Sequence, residues 1–177
     1  MRIPPIKTVR SLPIVCLLAL ILTHCGTLPP AQTVNPSLDL EFARSQFNAG
    51  HYDMAEYYLK KTLITVPDDP TALKLLPWSY FFQKRFDRAL IAFEHIRARY
   101  PRDPDPLIGI GWSYFGLFNY EKALQNFEKA ERLSPNSFQA HKGKGFSVLR
   151  LSEQSLAIEE LEKVYSEEDV EQIMELW

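Results

Sequence analysis

The feature that most constrains this chain is a set of residues that recurs every 34 positions. Alanine holds the same place in four successive segments, and a large apolar residue follows each alanine by four positions. Proline recurs at the same interval. These columns are Ala55, Ala89, Ala123 and Ala157; Leu59, Phe93, Phe127 and Leu161; and Pro67, Pro101 and Pro135. Such a period indicates a stack of similar units, each with an apolar face that only its neighbours can bury.

The clearest copy of the unit is residues 107–135, LIGIGWSYFGLFNYEKALQNFEKAERLSP. This segment resembles the tetratricopeptide repeat, a 34-residue helix–turn–helix unit. It agrees with that family at Leu107, Ile110, Gly111, Tyr114, Tyr120, Ala123, Phe127, Ala130 and Pro135. The resemblance covers about residues 36–169 and implies an all-α fold, an α-solenoid of four helix–turn–helix units with a short C-terminal capping helix. The units fall at about 36–69, 70–103, 104–137 and 138–169, and the cap at 167–177, within a domain that spans 38–177.

Within this fold the sequence predicts helices at 38–49, 52–65, 70–83, 86–99, 106–117, 120–133, 138–150 and 154–166. The prolines end each second helix and start the next connection. A short ninth helix is expected in SEEDVEQIMELW, where the apolar residues have helical spacing and can cover the last unit. Pro77 stands where the family has a small residue, which predicts a bend around Leu73–Pro77.

The N-terminus has the features of an export signal. Three basic residues precede an apolar run from Leu12 to Thr23, which is too short for a spanning helix of about 20 residues. The exit, LTHC, resembles a bacterial lipobox that ends at Cys25, with His24 where that family prefers a small residue. We therefore expect a lipoprotein-type signal peptide at 1–24, a lipid on Cys25 and a flexible tether over 25–37. The alternatives are an ordinary cleaved signal and an uncleaved anchor.

The expected location is the bacterial cell envelope, lipid-anchored, at the outer membrane and facing the periplasm. Gly26 follows the lipidated position in place of the aspartate that resembles an inner-membrane retention signal. Cys16 would be removed with the signal, so the mature chain would have no free thiol for disulfide or cysteine–metal chemistry.

The family resemblance implies a concave face built from the first helix of each unit. At those positions this chain carries many aromatic rings that the repeat does not need for its own core. A large exposed apolar surface is typical of a binding site, and Trp and Arg dominate interface energies. The candidate partner-binding groove contains Phe47, Lys74, Trp78, Phe81, Phe82, Trp112, Phe115, Lys142, Phe146 and Arg150. The alternative is that superhelix curvature or the N-terminal linker buries these rings.

The leading hypothesis is a membrane-anchored, non-enzymatic scaffold or assembly factor that binds a segment of an envelope protein in this groove. One alternative is a binder of a small hydrophobic ligand that serves an associated transporter, and another is a structural homo-oligomer. Catalytic and metal signals are weak, because His51, His95 and His141 lie in different units without metal-ligand spacing. No enzyme activity, cofactor or metal is therefore predicted. Nucleic acid is not an expected partner, since there is no basic stripe.

Overall fold

The computed structural model describes residues 35–151 and 154–175, and every regular element in these ranges is a helix. The helices pair into four helix–turn–helix units and a short final helix, which confirms the predicted fold class. They are α1 (Pro36–Asn48), α2 (Tyr52–Thr65), α3 (Pro70–Phe82), α4 (Phe86–Arg99), α5 (Asp105–Gly116), α6 (Tyr120–Leu133), α7 (Phe138–Arg150), α8 (Gln154–Glu162) and α9 (Glu167–Glu175).

The predictions for the N-terminus, from the signal peptide through the lipid on Cys25 to most of the tether, lie outside the described residues. The same holds for Trp177. Within the described ranges no helix combines the length and the apolar character that crossing a membrane requires.

Local sequence explains where the helices begin. Asp69 precedes α3 and accepts a hydrogen bond from the Ala72 backbone N–H at 2.7 Å, as an N-cap residue should. The prediction that α8 continues to residue 166 is wrong, because α8 ends at Glu162. Ser166 instead caps α9, where its hydroxyl accepts from the Asp169 N–H at 3.3 Å and donates to the Asp169 carboxylate at 2.6 Å.

The units are held together by large side chains that seat on small residues of the neighbouring helices. Phe127 of α6 is fully buried. A Cβ atom built on Gly111 of α5 would lie 2.7 Å from the Phe127 ring, and one built on Gly143 of α7 would lie 2.3 Å from it. Phe127 therefore fills a space between two units that only glycine leaves open. Leu161 makes the equivalent approach to Gly145.

The turns inside the first three units use a left-handed residue at the same repeat position. Gly50, Lys84 and Phe118 have φ values of 80°, 59° and 59°. In each turn the next backbone N–H donates to the carbonyl five residues earlier, as in the bond from Arg85 to Tyr80 at 2.9 Å. This hydrogen-bond pattern closes the first helix and reverses the chain into the second. Lys84 and Phe118 adopt it without glycine's conformational freedom, because the packing on either side specifies the turn.

Pro77 lies inside α3, which continues as one helix from Pro70 to Phe82. The proline ring is fully buried, so it fills core volume where the equivalent residues of later units are Gly111 and Gly145. A bend around Leu73–Pro77 stays a prediction.

The packing of Phe127 predicts the effect of Gly143→Ala. Alanine favours a helix over glycine by up to about 1 kcal/mol, but overpacking a rigid core costs about 1–3 kcal/mol. Because the Phe127 ring is held on both sides, overpacking should win, and the free energy of unfolding should fall in chemical denaturation. Adding Phe127→Leu to the Gly143→Ala protein should recover part of the loss. A Gly143→Ala protein as stable as the parent would contradict the packing described above.

Candidate partner-binding groove

The first helices α1, α3, α5 and α7 contact one another in sequence along the stack. The sides of these four helices that face solvent form a groove with a volume of about 770 Å³. The groove is open to solvent and mostly apolar. We call it the aromatic groove. It is lined by Phe47, Leu75, Trp78, Phe81, Phe82, Ile108, Trp112, Phe115, Gln139, Lys142 and Phe146.

The structure brings together all the candidate residues of the sequence analysis except Lys74 and Arg150. Lys74 points to the side of the groove, where its ammonium lies 3.3 Å from Asp105 and 3.9 Å from Asp103. Arg150 is the exposed last residue of α7. Three lining residues were not among the candidates: Leu75, Ile108 and Gln139.

The two tryptophans of the groove are each supported by a core phenylalanine. The Trp78 ring lies 5.0 Å from Phe93, and the Trp112 ring lies 5.1 Å from Phe127, both edge-on. Both tryptophans are half-buried. Each tryptophan ring therefore packs against the core with one side and faces the groove with the other.

The remaining rings continue these contacts along the stack. Trp112 lies 5.7 Å from Phe115 in its own helix and 6.4 Å from Phe146 in the next unit. At the other end, Phe82 stacks on Tyr52 at 4.7 Å and meets Phe47 at 5.9 Å. Phe82 is the most exposed of these rings, at 45%. These contacts form two groups of rings, one on α1, α2 and α3 and one on α5 and α7, and rings of both groups line the same groove. Within each group the neighbouring rings hold one another in place.

Basic side chains line the groove and a neighbouring cavity, and two aspartates lie at one side of the groove, next to Lys74. Lys142 lines the groove itself. A smaller cavity of about 340 Å³ shares Leu75 with the groove and is lined by Arg44 and Lys74 among others. Among the described residues that line these two cavities, none is acidic. The combined surface is apolar, with Arg44 and Lys142 as basic groups at its edges, while the charge of Lys74 is compensated by Asp103 and Asp105.

A second cluster, outside the groove, was missed by the sequence reasoning. Glu131 of α6, His141 of α7 and Glu160 of α8 lie close together, with their nearest ligand-type atoms within 4.8 Å of one another. Lys144 pairs with both carboxylates, at 2.6 Å from Glu131 and 2.8 Å from Glu160. Residues from three helices share no local spacing, so a motif search cannot find them. An alignment of successive units does reveal two members of the cluster. His141 and Lys144 stand where the preceding unit has the apolar residues Leu107 and Ile110.

The charges in this cluster support one another. Burial by itself would raise the pKa of Glu160, but hydrogen bonds from Lys144, Lys163 and His141 outweigh it and hold that pKa below its usual value. Burial would lower the pKa of Lys144, but its hydrogen bonds to Glu131 and Glu160 outweigh that effect and raise the pKa. At neutral pH Glu160 is therefore an anion and Lys144 a cation.

Comparison with known families agrees with the repeat seen in the sequence. Two family models, both described as tetratricopeptide repeat, match the chain, one over residues 40–104 and one over residues 104–137. Together they span residues 40–137, more than half of the 177 residues. A search of curated proteins gives no match.

Solved structures show the same fold. A thermophilic TPR protein of Thermus thermophilus has a TM-score of 0.68 at 24% identity, with 76% of this chain and 75% of that chain covered. MamA from Desulfovibrio magneticus RS-1 has a TM-score of 0.67 at 24% identity, with coverage of 80% and 78%. Another crystal structure of MamA has a TM-score of 0.65 at 18% identity, with coverage of 82% and 84%. These likenesses establish the architecture.

The support of each tryptophan by a core ring predicts an intermediate cost of removal. Trp78→Ala and Trp112→Ala should each lower the free energy of unfolding by about 2 kcal/mol, because only part of each ring leaves an apolar environment. Phe127→Ala, which removes a fully buried ring, is the matched control and should cost roughly 3–5 kcal/mol. If the tryptophan variants lose as much as the control in chemical denaturation, both rings belong to the core.

Proposed function

The chain belongs to the tetratricopeptide repeat family, whose members bind other proteins, and from that premise we propose a non-enzymatic interaction scaffold. Its aromatic groove holds an amphipathic helix of an envelope protein. The observation that carries this proposal is the continuous apolar surface that rings of several units form along the groove. A surface of this kind on a monomer is typical of a binding site.

The chemistry of the groove favours a helical ligand over an extended one. Gln139 and Lys142 are the polar members of the lining, among aromatic and aliphatic side chains. An extended peptide laid there would leave its backbone N–H and C=O groups facing apolar rings, which is costly. A helix satisfies its backbone internally and needs to bury only one apolar stripe.

The spacing of the groove also suits a helix. The first helices of successive units touch, and touching helices lie about 8–10 Å apart. Apolar residues two turns apart on a ligand helix, at i and i+7, are separated by about 10.5 Å. A helix lying across the first helices can therefore place one apolar residue near Trp78 and the next near Trp112.

The charges around the groove indicate which charges a partner helix should carry. Arg44 is exposed at one end of the groove, and Lys142 lies in the groove beside Phe146. A partner helix with acidic residues beside its apolar stripe is complementary to Arg44 and Lys142. Asp103 and Asp105, at the side of the groove, are already paired with Lys74.

The sequence supports an envelope location for this scaffold, with a lipid on Cys25, attachment at the outer membrane and the repeats in the periplasm. The ten residues from 26 to 35 reach at most about 35 Å when extended. The groove would thus operate close to the membrane surface, where it could meet a partner that is itself inserted or being assembled there.

Photo-crosslinking from the groove tests the proposal. The photoreactive residue p-benzoylphenylalanine replaces Phe82, which is exposed in the groove, or Phe118, which is 78% exposed on a turn away from it. In intact cells of the native host we expect a crosslinked partner from position 82 and not from position 118. Mass spectrometry should place the crosslink in a partner helix with an apolar stripe and acidic neighbours.

The other products of this experiment are equally decisive. A crosslink from position 82 to a second copy of the chain would favour the homo-oligomer, and one to a lipid would favour the hydrophobic-ligand binder. No product from position 82, or the same products from both positions, would overturn groove binding.

The lipid anchor has its own test. Cells grown with an alkyne-labelled fatty acid should incorporate the label into the native chain and not into Cys25→Ala. The Cys25→Ala protein should also leave the membrane fraction if the signal is still cleaved, or keep its full precursor length if it is not. Labelling of Cys25→Ala at the native level would rule out lipidation at this residue.

A further inference from the structure

We propose that Glu131, His141 and Glu160 form a zinc site that joins the last two units of the stack. These residues come from α6, α7 and α8, and they lie outside the aromatic groove. The inference is independent of the proposed function, since it concerns other residues and another ligand.

The geometry of the three ligand atoms suits a small metal ion. His141 Nδ1 lies 3.2 Å from Glu160 Oε2 and 3.6 Å from Glu131 Oε1. Zinc bonds to nitrogen and oxygen are about 2.0–2.2 Å long, so ligand atoms in a tetrahedral site lie about 3.4 Å apart. The ion can therefore enter with small side-chain adjustments.

The orientation of His141 is fixed for this role. Its Nε2 lies 2.8 Å from the Pro135 carbonyl oxygen, which can only accept, so Nε2 carries the hydrogen and donates. The other ring nitrogen, Nδ1, faces the two carboxylates, at 3.2 Å from Glu160 Oε2 and 3.6 Å from Glu131 Oε1. Either a hydrogen donated to Glu160 or a metal ion that replaces this hydrogen can lie between these atoms. Metal-bound histidines commonly donate their other ring N–H to a backbone carbonyl in this way.

Lys144 leaves the three ligand atoms free for the ion. It holds Oε2 of Glu131 and Oε1 of Glu160, whereas the oxygens that face His141 are the other atom of each carboxylate. Lys144 thus orients both carboxylates as an outer partner of the site. Its positive charge, with that of Lys163 at 2.9 Å from Glu160, weakens zinc affinity relative to an uncompensated pair of carboxylates.

The repeat does not require these residues. One unit earlier the positions of His141 and Lys144 are held by Leu107 and Ile110, which are buried in an apolar interface. Replacing such a contact by buried charged groups usually does not add stability. Binding of a metal ion would explain why His141 and Lys144 stand where the preceding unit has apolar residues.

The site is reachable from solvent, and its donors favour zinc. A cavity of about 540 Å³ is lined by Glu131, His141 and Lys163 among others, so an ion can enter and a water can complete its coordination. Imidazole with two carboxylates suits Zn²⁺ better than Mg²⁺ or Ca²⁺, which prefer oxygen ligands alone.

The test compares the purified protein with His141→Leu, which introduces the residue that the preceding unit has at this position, Leu107. In metal-free buffer at neutral pH, ZnCl₂ at about a hundredfold excess over Kd should raise the Tm of the parent by at least about 5 °C. MgCl₂ should not. His141→Leu should fold and show no such shift, while His51 and His95 remain as a control for adventitious surface binding.

A second variant keeps the test decisive if His141→Leu fails to fold. Glu131 is partly exposed, and Glu131→Gln should weaken zinc binding in equilibrium dialysis at least tenfold, as losses of ligand partners do. Substituted Co²⁺ should give visible absorption in the parent that is lost in Glu131→Gln. An unchanged Tm with zinc means that the cluster binds no zinc, and an equal shift in parent and variants means surface binding. Either result overturns the zinc site.

Discussion

The architecture depends on one packing contact that repeats along the chain, a large apolar side chain of each second helix seated on small residues of first helices. Phe127 shows the constraint most clearly, because glycines of two different units touch its ring. A unit of two helices cannot bury such a side chain alone, and the neighbouring unit supplies the other half of its environment. The large side chains of the second helices therefore determine the distance between successive first helices. That distance in turn determines the shape of the aromatic groove.

The groove and the core are consequently parts of one structure. Trp78 and Trp112 each rest on a core phenylalanine, so a ring that faces the groove is positioned by the same side chain that spaces the units. This explains how an open surface can present aromatic side chains in fixed orientations. A preorganised apolar surface loses little conformational entropy when a ligand is bound.

Much of this could be predicted from the sequence, because the packing contact leaves a periodic trace. The columns of Ala55 and Leu59 predict the helices, and the concave positions follow from the register. The failures have local physical causes. Lys74 lies at the side of the groove, where it pairs with Asp105. The last helix of the fourth unit ends at Glu162, several residues before Ser166 caps the next helix. The Glu131–His141–Glu160 cluster joins residues that have no common spacing. Turns that hold Lys84 and Phe118 with positive φ could not be expected from their residue types.

The groove crosses several units, and this has a consequence for cooperativity. In a stack of repeats each unit is stabilised only by its neighbours, so the ends can open while the middle stays folded. A ligand that touches α3, α5 and α7 together binds only when these three helices are in register. The binding free energy of the ligand then stabilises every interface between units that the ligand spans. A ligand bound in the aromatic groove therefore couples units that otherwise interact only with their nearest neighbours. The units that the ligand touches then unfold together as a single cooperative unit.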